Sequence, residues 1–150
     1  MIRYIDGDLV RDAKNYDVIV HGCNCFCTMG SGIAPQIKAK FPEAYAVDCA
    51  TTKGDKLKLG TITHTVKQST PTVVNLYSQY GYNGRNHGQI DLDYDALRSG
   101  MKLIKQKFSG KTIGMPKIGA GLAGGDWDKI EKIIQEELMG EYVTIVNWVP

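Results

Sequence analysis

The sequence predicts one α/β domain, in which a mixed and mostly buried β-sheet lies between two layers of helices. Short apolar runs of strand length alternate with longer segments of helical periodicity, which is typical of this fold class. Residues 18–23 form a compact β-branched run, as expected for a strand covered on both faces. The 150 residues suit one domain with one core, and they contain no linker, internal repeat or low-complexity tract.

The first half of the chain is predicted to supply four strands and two helices. We expect strands over residues 2–5, 18–23, 60–66 and 72–77, and helices over residues 33–41 and 43–50. Pro42 separates the two helices, because proline stops or restarts a helix. Residues 53–55 and 68–71 include the Gly, Asp, Ser and Pro residues typical of turns.

The second half is predicted to continue the alternation of helices and strands. Residues 81–88 are rich in Gly and Asn and are expected to form a loop. Either Asp91 or Asp93 can cap the next helix, which carries apolar residues on one face. A strand over residues 112–115, a helix over 127–139 and a final strand over 143–149 complete the prediction.

Charge and hydropathy exclude several classes of protein. The positive charges of 18 Lys and Arg nearly cancel the negative charges of 16 Asp and Glu, and no long basic run occurs. Nothing therefore indicates electrostatic binding to a nucleic-acid backbone. The longest apolar runs are strand-sized, far below the ~20 residues of a membrane helix. The N-terminus lacks the features of a secretory signal. We therefore expect a cytoplasmic protein with no membrane contact.

Three of the four cysteines follow one another at every second position. Cys23, Cys25 and Cys27 do not have the C-x2-C spacing of a structural zinc site, and no second Cys or His pair accompanies them. In the cytosol such thiols stay reduced. We expect small buried side chains at a strand end, with no metal and no cofactor, and a redox role for the cluster is the alternative.

Two glycine-rich loops each follow a strand and precede a helix. Loop A is residues 28–34 (TMGSGIA) and loop B is residues 119–125 (GAGLAGG). Helix N-termini offer unpaired N–H groups, and glycine lets the backbone approach a diphosphate closely. Neither loop has a Walker or G-x-G-x-x-G pattern, which disfavours a P-loop or Rossmann enzyme. Each loop could also be an ordinary tight turn.

Four ordered segments resemble the macrodomain family. They are residues 7–9 (GDL), 20–24 (VHGCN), 30–34 (GSGIA) and 115–122 (MPKIGAGL), and the resemblance spans essentially the whole chain. It implies a three-layer α/β/α fold and a single macrodomain over residues 1–150. Within the family the chain is similar to the yeast-type ADP-ribose 1''-phosphate phosphatases, through His87-Gly88, and to the terminal ADP-ribose protein glycohydrolases.

The resemblance also implies binding roles for particular residues. Asp8 would accept a hydrogen bond from the adenine amino group, with the Leu9 amide nearby, and Asn24 would bind the distal ribose. Asp8 could instead be a turn aspartate, and Asn24 a strand-end residue satisfied by backbone. Trp148 could stack on the adenine or pack in the core. The remaining implied ligand contacts are Met29, Gly30, Ser31, Gly32, Ile33, Ser78, Gly119, Ala120, Gly121, Leu122 and Asn147.

The chain departs from the family pattern where catalysis would occur. His21 stands in place of the first asparagine of the ribose motif, and it is either a core histidine or a weak acid–base candidate. Gln79 and Ala123 occupy the positions of the lysine and acid used by the glycohydrolase group. Asp126 is either a helix cap or a general base, and His87 either an idle loop residue or a group that closes over the distal ribose.

These observations lead to one expected function with three alternatives. We expect a monomeric hydrolase that binds ADP-ribose derivatives and acts at the distal ribose, with ADP-ribose 1''-phosphate as the first-choice substrate. Asn24, His87, Asp126 and His21 are the catalytic candidates. The alternatives are removal of ADP-ribose from ADP-ribosylated proteins or nucleic acids, a non-catalytic ADP-ribose reader, and a generic nucleotide-binding regulatory domain.

Overall fold

The computed structural model describes residues 2–66 and 71–150, and it confirms the α/β class. The strands and helices alternate along the chain, with short 3-10 helices at Ala13–Asn15, Lys56–Lys58 and Gly84–His87. In chain order the main elements are β1 (Ile2–Gly7), β2 (Val18–Cys23), α1 (Ala34–Lys40), α2 (Pro42–Cys49), β3 (Ile62–His64), β4 (Thr72–Tyr77), α3 (Tyr94–Phe108), β5 (Thr112–Met115), α4 (Trp127–Glu137) and β6 (Tyr142–Trp148).

One six-stranded mixed sheet organises the described residues. Its strand order is β1-β6-β5-β2-β4-β3, and every neighbouring pair is parallel except β3 and β4. In a parallel sheet the carboxyl ends of the strands meet at one edge. The loops that follow β2, β4 and β5 are therefore brought together there.

The sheet is buried on both faces, which makes three layers. Val18 and Val20 of β2 pack with α3 and α4, whereas Ile19 between them packs with Ile37 of α1 and Ala44 of α2. Successive side chains of a strand point to opposite faces, so this split shows a helical layer on each side. No helix of the described part is long and apolar enough to cross a membrane.

The predicted boundaries hold best for the buried strands. The predicted bounds of β2, β4 and β5 agree with the structure, whereas β1 continues to Gly7, β6 covers Tyr142–Trp148 and α4 ends at Glu137. The strand predicted over residues 60–66 was too long, because Gly60 has a φ of +84° and only Ile62–His64 is regular. The turn predicted at 68–71 lies mostly outside the described residues.

The loop predicted at 81–88 contains the Gly84–His87 helical turn, and the helix after it begins at Tyr94. Asp93 caps that helix, since its carboxylate accepts a hydrogen bond from the Ala96 amide at 2.9 Å. Asp91, the other candidate cap, does not have this role. Its carboxylate accepts from Gly84 instead, so Asp93 is the cap of the two residues that the sequence offered.

Candidate functional site

A cavity of about 490 Å³ opens at the carboxyl ends of β2 and β5, between loops A and B. Loop A contributes Gly30 to Ala34, and loop B contributes Gly119 and residues 121–123. Segment 79–91, which follows β4, supplies a third wall through Gln79, Tyr82, Asn83, Asn86 and Asp91. The sheet topology thus brings together three loops that are far apart in sequence.

Both glycine loops present free backbone N–H groups. Within the described chain, the loop A amides of Gly30 to Ile33 donate no hydrogen bond to another protein atom, and neither do the loop B amides of Gly119, Gly121, Leu122 and Ala123. An unpaired amide is satisfied only by water or a ligand. Two such sets flanking one cavity form an arrangement suited to an anion.

The glycines of these loops fall into two physical classes. A Cβ at Gly119 would lie 2.9 Å from Leu92 Cδ1, and its φ is +78°, so packing and backbone conformation both require glycine there. A Cβ at Gly30 or at Gly121 would meet nothing within 4 Å, and neither residue has a positive φ. At Gly30 and Gly121 neither packing nor backbone conformation requires glycine, and the space beside the backbone is open.

Asn24 lines the cavity and is held by its own turn. Its Nδ2 donates to Thr28 O at 3.2 Å and to Thr28 Oγ1 at 2.8 Å, and its Oδ1 accepts from the Phe26 amide at 2.8 Å. This geometry agrees with the alternative of a strand-end asparagine satisfied locally. It also leaves one lone pair of Oδ1 for a ribose hydroxyl, so the two roles are compatible.

His21 lies in the core and does not line the cavity. Asn75 Nδ2 donates to Ala44 O at 2.9 Å and to Thr63 Oγ1 at 3.1 Å, so its Oδ1 is an acceptor. His21 Nε2 is 2.7 Å from that oxygen and therefore carries the proton. Burial lowers the pKa of His21 to about 4. The structure favours the core histidine over the acid–base candidate.

Asp126 and His87 also lie outside the cavity lining. Asp126 caps α4, because its carboxylate accepts from the Asp128 amide at 3.0 Å. His87 is exposed on the Gly84–His87 turn. Neither side chain is brought to the distal end of the cavity, so the structure gives no support to the acid–base roles expected of them.

Asp91 is the carboxylate that the sequence reasoning missed. It is the one acidic side chain among the described lining residues, and Lys117 is the one cationic side chain. The Asp91 carboxylate accepts from the Gly84 amide, and its own amide donates to Ala123 O at 3.0 Å. The only sequence signal was an acid directly before a buried leucine, which resembled a helix cap.

The residues implied in adenine binding lie at the same sheet edge but beyond this cavity. Asp6 and Gly7 of β1 pair with Asn147 and Trp148 of β6, so Asp8 lies next to the end of β6. Asp8 Oδ1 accepts from the amides of residues 10 and 11, both at 3.1 Å. This is the geometry of a turn aspartate, which was the alternative to a role in adenine binding. Trp148 is 64% exposed, so the core-packing alternative for it was wrong.

Three other implied contacts are separated from the cavity. Met29 and Ser78 are buried, and neither they nor Ala120 line the cavity. The Ser78 hydroxyl oxygen has no hydrogen-bond partner among the described residues, and it lies behind Gly22, where a Cβ would be 2.8 Å away. The absence of a side chain at Gly22 therefore leaves the space that the Ser78 hydroxyl occupies.

The cysteines show no arrangement for a metal. Among the described residues, no three His, Cys, Asp or Glu side chains group as ligands. All four thiols are free, and burial raises the pKa of Cys23 and Cys25. Cys23 lies at the end of β2 with its Sγ 3.9 Å from His21 Nδ1. Cys23 and Cys25 fit small buried side chains at a strand end, whereas Cys27 is half-buried.

Comparison with known proteins places these features in context. A family model described as Macro domain matches residues 20–134. A 17.5 kDa protein from the tk-vs intergenic region of Enterobacteria phage T4 is 37% identical over 100% of this chain and 98% of its own length. The ADP-ribose 1''-phosphate phosphatase of Debaryomyces hansenii is 28% identical over 91% of this chain and 93% of its own.

Two further similarities are to a longer protein and to a solved structure. The DNA ADP-ribosyl glycohydrolase of Thermus aquaticus is 25% identical over 92% of this chain, which spans 38% of that protein. The structure of a protein of unknown function from Bacteroides thetaiotaomicron has a TM-score of 0.80 and 30% identity, and covers 98% of both chains.

Proposed function

Because this chain belongs to the macrodomain family, we propose that residues 1–150 form one macrodomain that binds ADP-ribose and hydrolyses a bond at the distal ribose of its derivatives. The first-choice substrate is ADP-ribose 1''-phosphate. The observation that carries the proposal is the pair of free-amide sets in loops A and B, both of which belong to residues that line the cavity. The named activity of the Debaryomyces hansenii relative also supports it.

The diphosphate is assigned to the two loops. Four free amides in each loop can donate to phosphate oxygens, and the open space at Gly30 and Gly121 lets those oxygens approach the backbone. The adenine then extends toward Asp8 and Trp148, and the distal ribose toward Asn24.

Asp91 is the general base of the proposed reaction. The carboxylate takes a proton from water, the water oxygen attacks phosphorus, and the bond from phosphorus to the 1'' oxygen breaks. The proton then passes to that oxygen, so the products are phosphate and ADP-ribose. We prefer Asp91 to His87 and Asp126 because a general base must reach the reacting water, and only Asp91 lines the cavity.

Most of the rate enhancement would come from positioning. Amides that are already oriented hold the diphosphate without reorganisation during the reaction, and the fixed ribose then places its substituent next to the base. This explains how a site with one carboxylate and one lysine among its described lining residues could act without a larger catalytic set.

The test combines calorimetric titration with ADP-ribose and a phosphate-release assay with ADP-ribose 1''-phosphate. We expect micromolar binding and phosphate release by the wild type. Asp91→Asn should keep ADP-ribose affinity but lower kcat by about 100-fold or more. Asp95→Asn is the matched control, because Asp95 is an exposed carboxylate in the first turn of α3 and outside the cavity lining.

Each outcome decides between the candidate functions. Binding without release favours a reader, or a hydrolase of ADP-ribosylated macromolecules. AMP or NAD binding as tightly as ADP-ribose indicates a generic nucleotide-binding domain. Absence of all binding contradicts the proposal itself, since the free amides would then have another role.

An aromatic wall favours one second candidate, removal of ADP-ribose from nucleic-acid bases. Tyr82 lines the cavity beside Asn83 and is 54% exposed, and its ring contacts Phe26 edge-on with centroids 6.1 Å apart. Phe26 contacts Tyr80 in the same way at 4.9 Å. Stacking of a base on such a ring contributes about 1–3 kcal/mol.

The second candidate has its own test. Tyr82→Ala should lower kcat/KM for an ADP-ribosylated oligonucleotide by about tenfold or more, if stacking contributes as estimated. The same change should leave hydrolysis of ADP-ribose 1''-phosphate within twofold. Equal effects on both substrates would assign Tyr82 to the ADP-ribose itself and remove the support for this candidate.

A further inference from the structure

Segment 79–91 is closed at its base by a contact between Gly84 and Asp91. The Gly84 amide donates to both oxygens of the Asp91 carboxylate, at 3.1 Å each. In the opposite direction, the Gln89 amide donates to Gly84 O at 2.8 Å. The Asp91 amide meanwhile donates to Ala123 O of loop B. Asp91 thus forms hydrogen bonds to its own segment through its carboxylate and to loop B through its amide.

The close approach of Gly84 to Asp91 requires glycine. A Cβ at Gly84 would lie 2.6 Å from Asp91 Oδ1 and 3.1 Å from its Cγ. It would also lie 3.1 Å from the carbonyl oxygen of Gln89. Gly84 does not have a positive φ, so its backbone conformation is open to other residues. The contact with the carboxylate is therefore the feature that excludes a side chain at this position.

We propose that Gly84 is a positioning residue that aims the Asp91 carboxylate into the cavity. The inference rests on the proposed function, in which Asp91 is the general base. Each carboxylate oxygen can accept about two hydrogen bonds, and the Gly84 amide uses one on each oxygen. The remaining lone pairs stay available for the reacting water. Because the amide contacts both oxygens, it fixes rotation of the carboxyl group as well as its position.

The consequence for catalysis follows from the sensitivity of proton transfer to geometry. A displacement of about 1 Å at a reacting group can lower the rate about 100-fold. A methyl group at position 84 displaces the carboxylate, since 2.6 Å is far inside van der Waals contact. Loops A and B do not include Gly84, so binding of the diphosphate is left unchanged.

The test compares Gly84→Ala with Gly81→Ala. Gly81 lies in the same segment, has no positive φ, and its added Cβ would come no closer than 4.0 Å to Asp91 Oδ1. Gly84→Ala should lower kcat between tenfold and 100-fold. Its KM and its calorimetric Kd for ADP-ribose should stay within twofold of the wild type, and so should all three constants of Gly81→Ala.

A double-mutant cycle separates positioning from a general structural effect. In the Asp91→Asn background, Gly84→Ala should change kcat less than twofold, because the group that it positions is already disabled. The proposal would be overturned if the two substitutions together lowered kcat by the product of their separate effects, or if Gly84→Ala alone left kcat unchanged. A loss of affinity equal to the loss of kcat would do the same.

A second measurement holds even if no hydrolysis is found or Gly84→Ala fails to fold. Hydrogen exchange in the wild type should show the Gly84 amide protected, and Asp91→Ala should speed its exchange at least tenfold. Equal exchange rates in the two proteins would show that the pairing is absent and overturn the proposal. An inactive wild type with a protected Gly84 amide would instead contradict only the proposed function and, with it, the catalytic use of this contact.

Discussion

Acid should destabilise this protein through His21. The imidazole is buried, and its pKa falls from 6.5 to about 4 because burial disfavours the charged ring. Below pH 6.5 the unfolded chain takes up a proton that the folded chain does not, so stability decreases as the pH falls toward 4. At about 1.4 kcal/mol for each pH unit of that interval, the total loss is about 3 kcal/mol.

The assay is urea unfolding of the wild type and His21→Gln at several pH values between 7 and 4. Glutamine keeps an N–H donor near the position of Nε2, so the bond to Asn75 can be retained. Other groups that titrate in this range are the same in both proteins, so their effects cancel in the difference. The wild type should lose about 3 kcal/mol more than the variant between pH 7 and pH 4.

A stability difference that is independent of pH over this range would refute the reasoning. It would mean that His21 is protonated as readily in the folded protein as in the unfolded chain, so that burial does not disfavour the charged ring. A variant that is less stable by a constant amount would report only poorer packing of the glutamine.

The remaining predictions concern three other side chains. Burial raises the pKa of Asp48 in the folded protein, so the free energy that the protonated side chain contributes to stability is present at low pH and is lost as the pH rises through the folded-state pKa. Asp48→Asn should therefore be more stable than the wild type at pH 7 but not at pH 3, as measured by urea unfolding. Trp148→Ala should weaken ADP-ribose binding by about tenfold in calorimetry if the exposed indole stacks on adenine, while phosphate release at saturation stays unchanged. Asp126→Ala should lower the free energy of unfolding by about 1 kcal/mol through loss of the α4 cap, with kcat within twofold of the wild type.

The parts of the fold that were predictable from sequence are those fixed by local patterns. The buried runs that became β2 and β4 mark their own ends, because a polar residue follows each of them, Asn24 after β2 and Ser78 after β4. The strand expected at residues 60–66 was predicted too long, since its start depends on a glycine conformation that composition does not reveal. Asp93 and Asp91 looked equivalent as caps, and only the path of the chain distinguishes them.

The parts of the candidate site that a single stretch of sequence forms were predictable, whereas a residue placed by contacts between distant segments was not. Loops A and B were expected to face a ligand, and both line the cavity. Asp91 was missed because its place depends on Gly84 and on Ala123, a contact across 32 residues of sequence that no spacing rule encodes. His21 drew attention as an unusual residue in a motif, yet its partner Asn75 is on the neighbouring strand β4.

Two consecutive residues, Asp91 and Leu92, connect the proposed general base to loop B. Asp91 lines the cavity, while the side chain of Leu92 fills the space against Gly119 where a Cβ would otherwise lie. The amides of both residues donate to Ala123 O, at 3.0 and 3.2 Å. These two hydrogen bonds hold the backbone of Asp91 against loop B. A diphosphate that fixes loop B therefore also fixes the backbone of Asp91, while the Gly84 amide sets the orientation of its carboxylate, so binding at the phosphates and alignment of the general base depend on separate contacts.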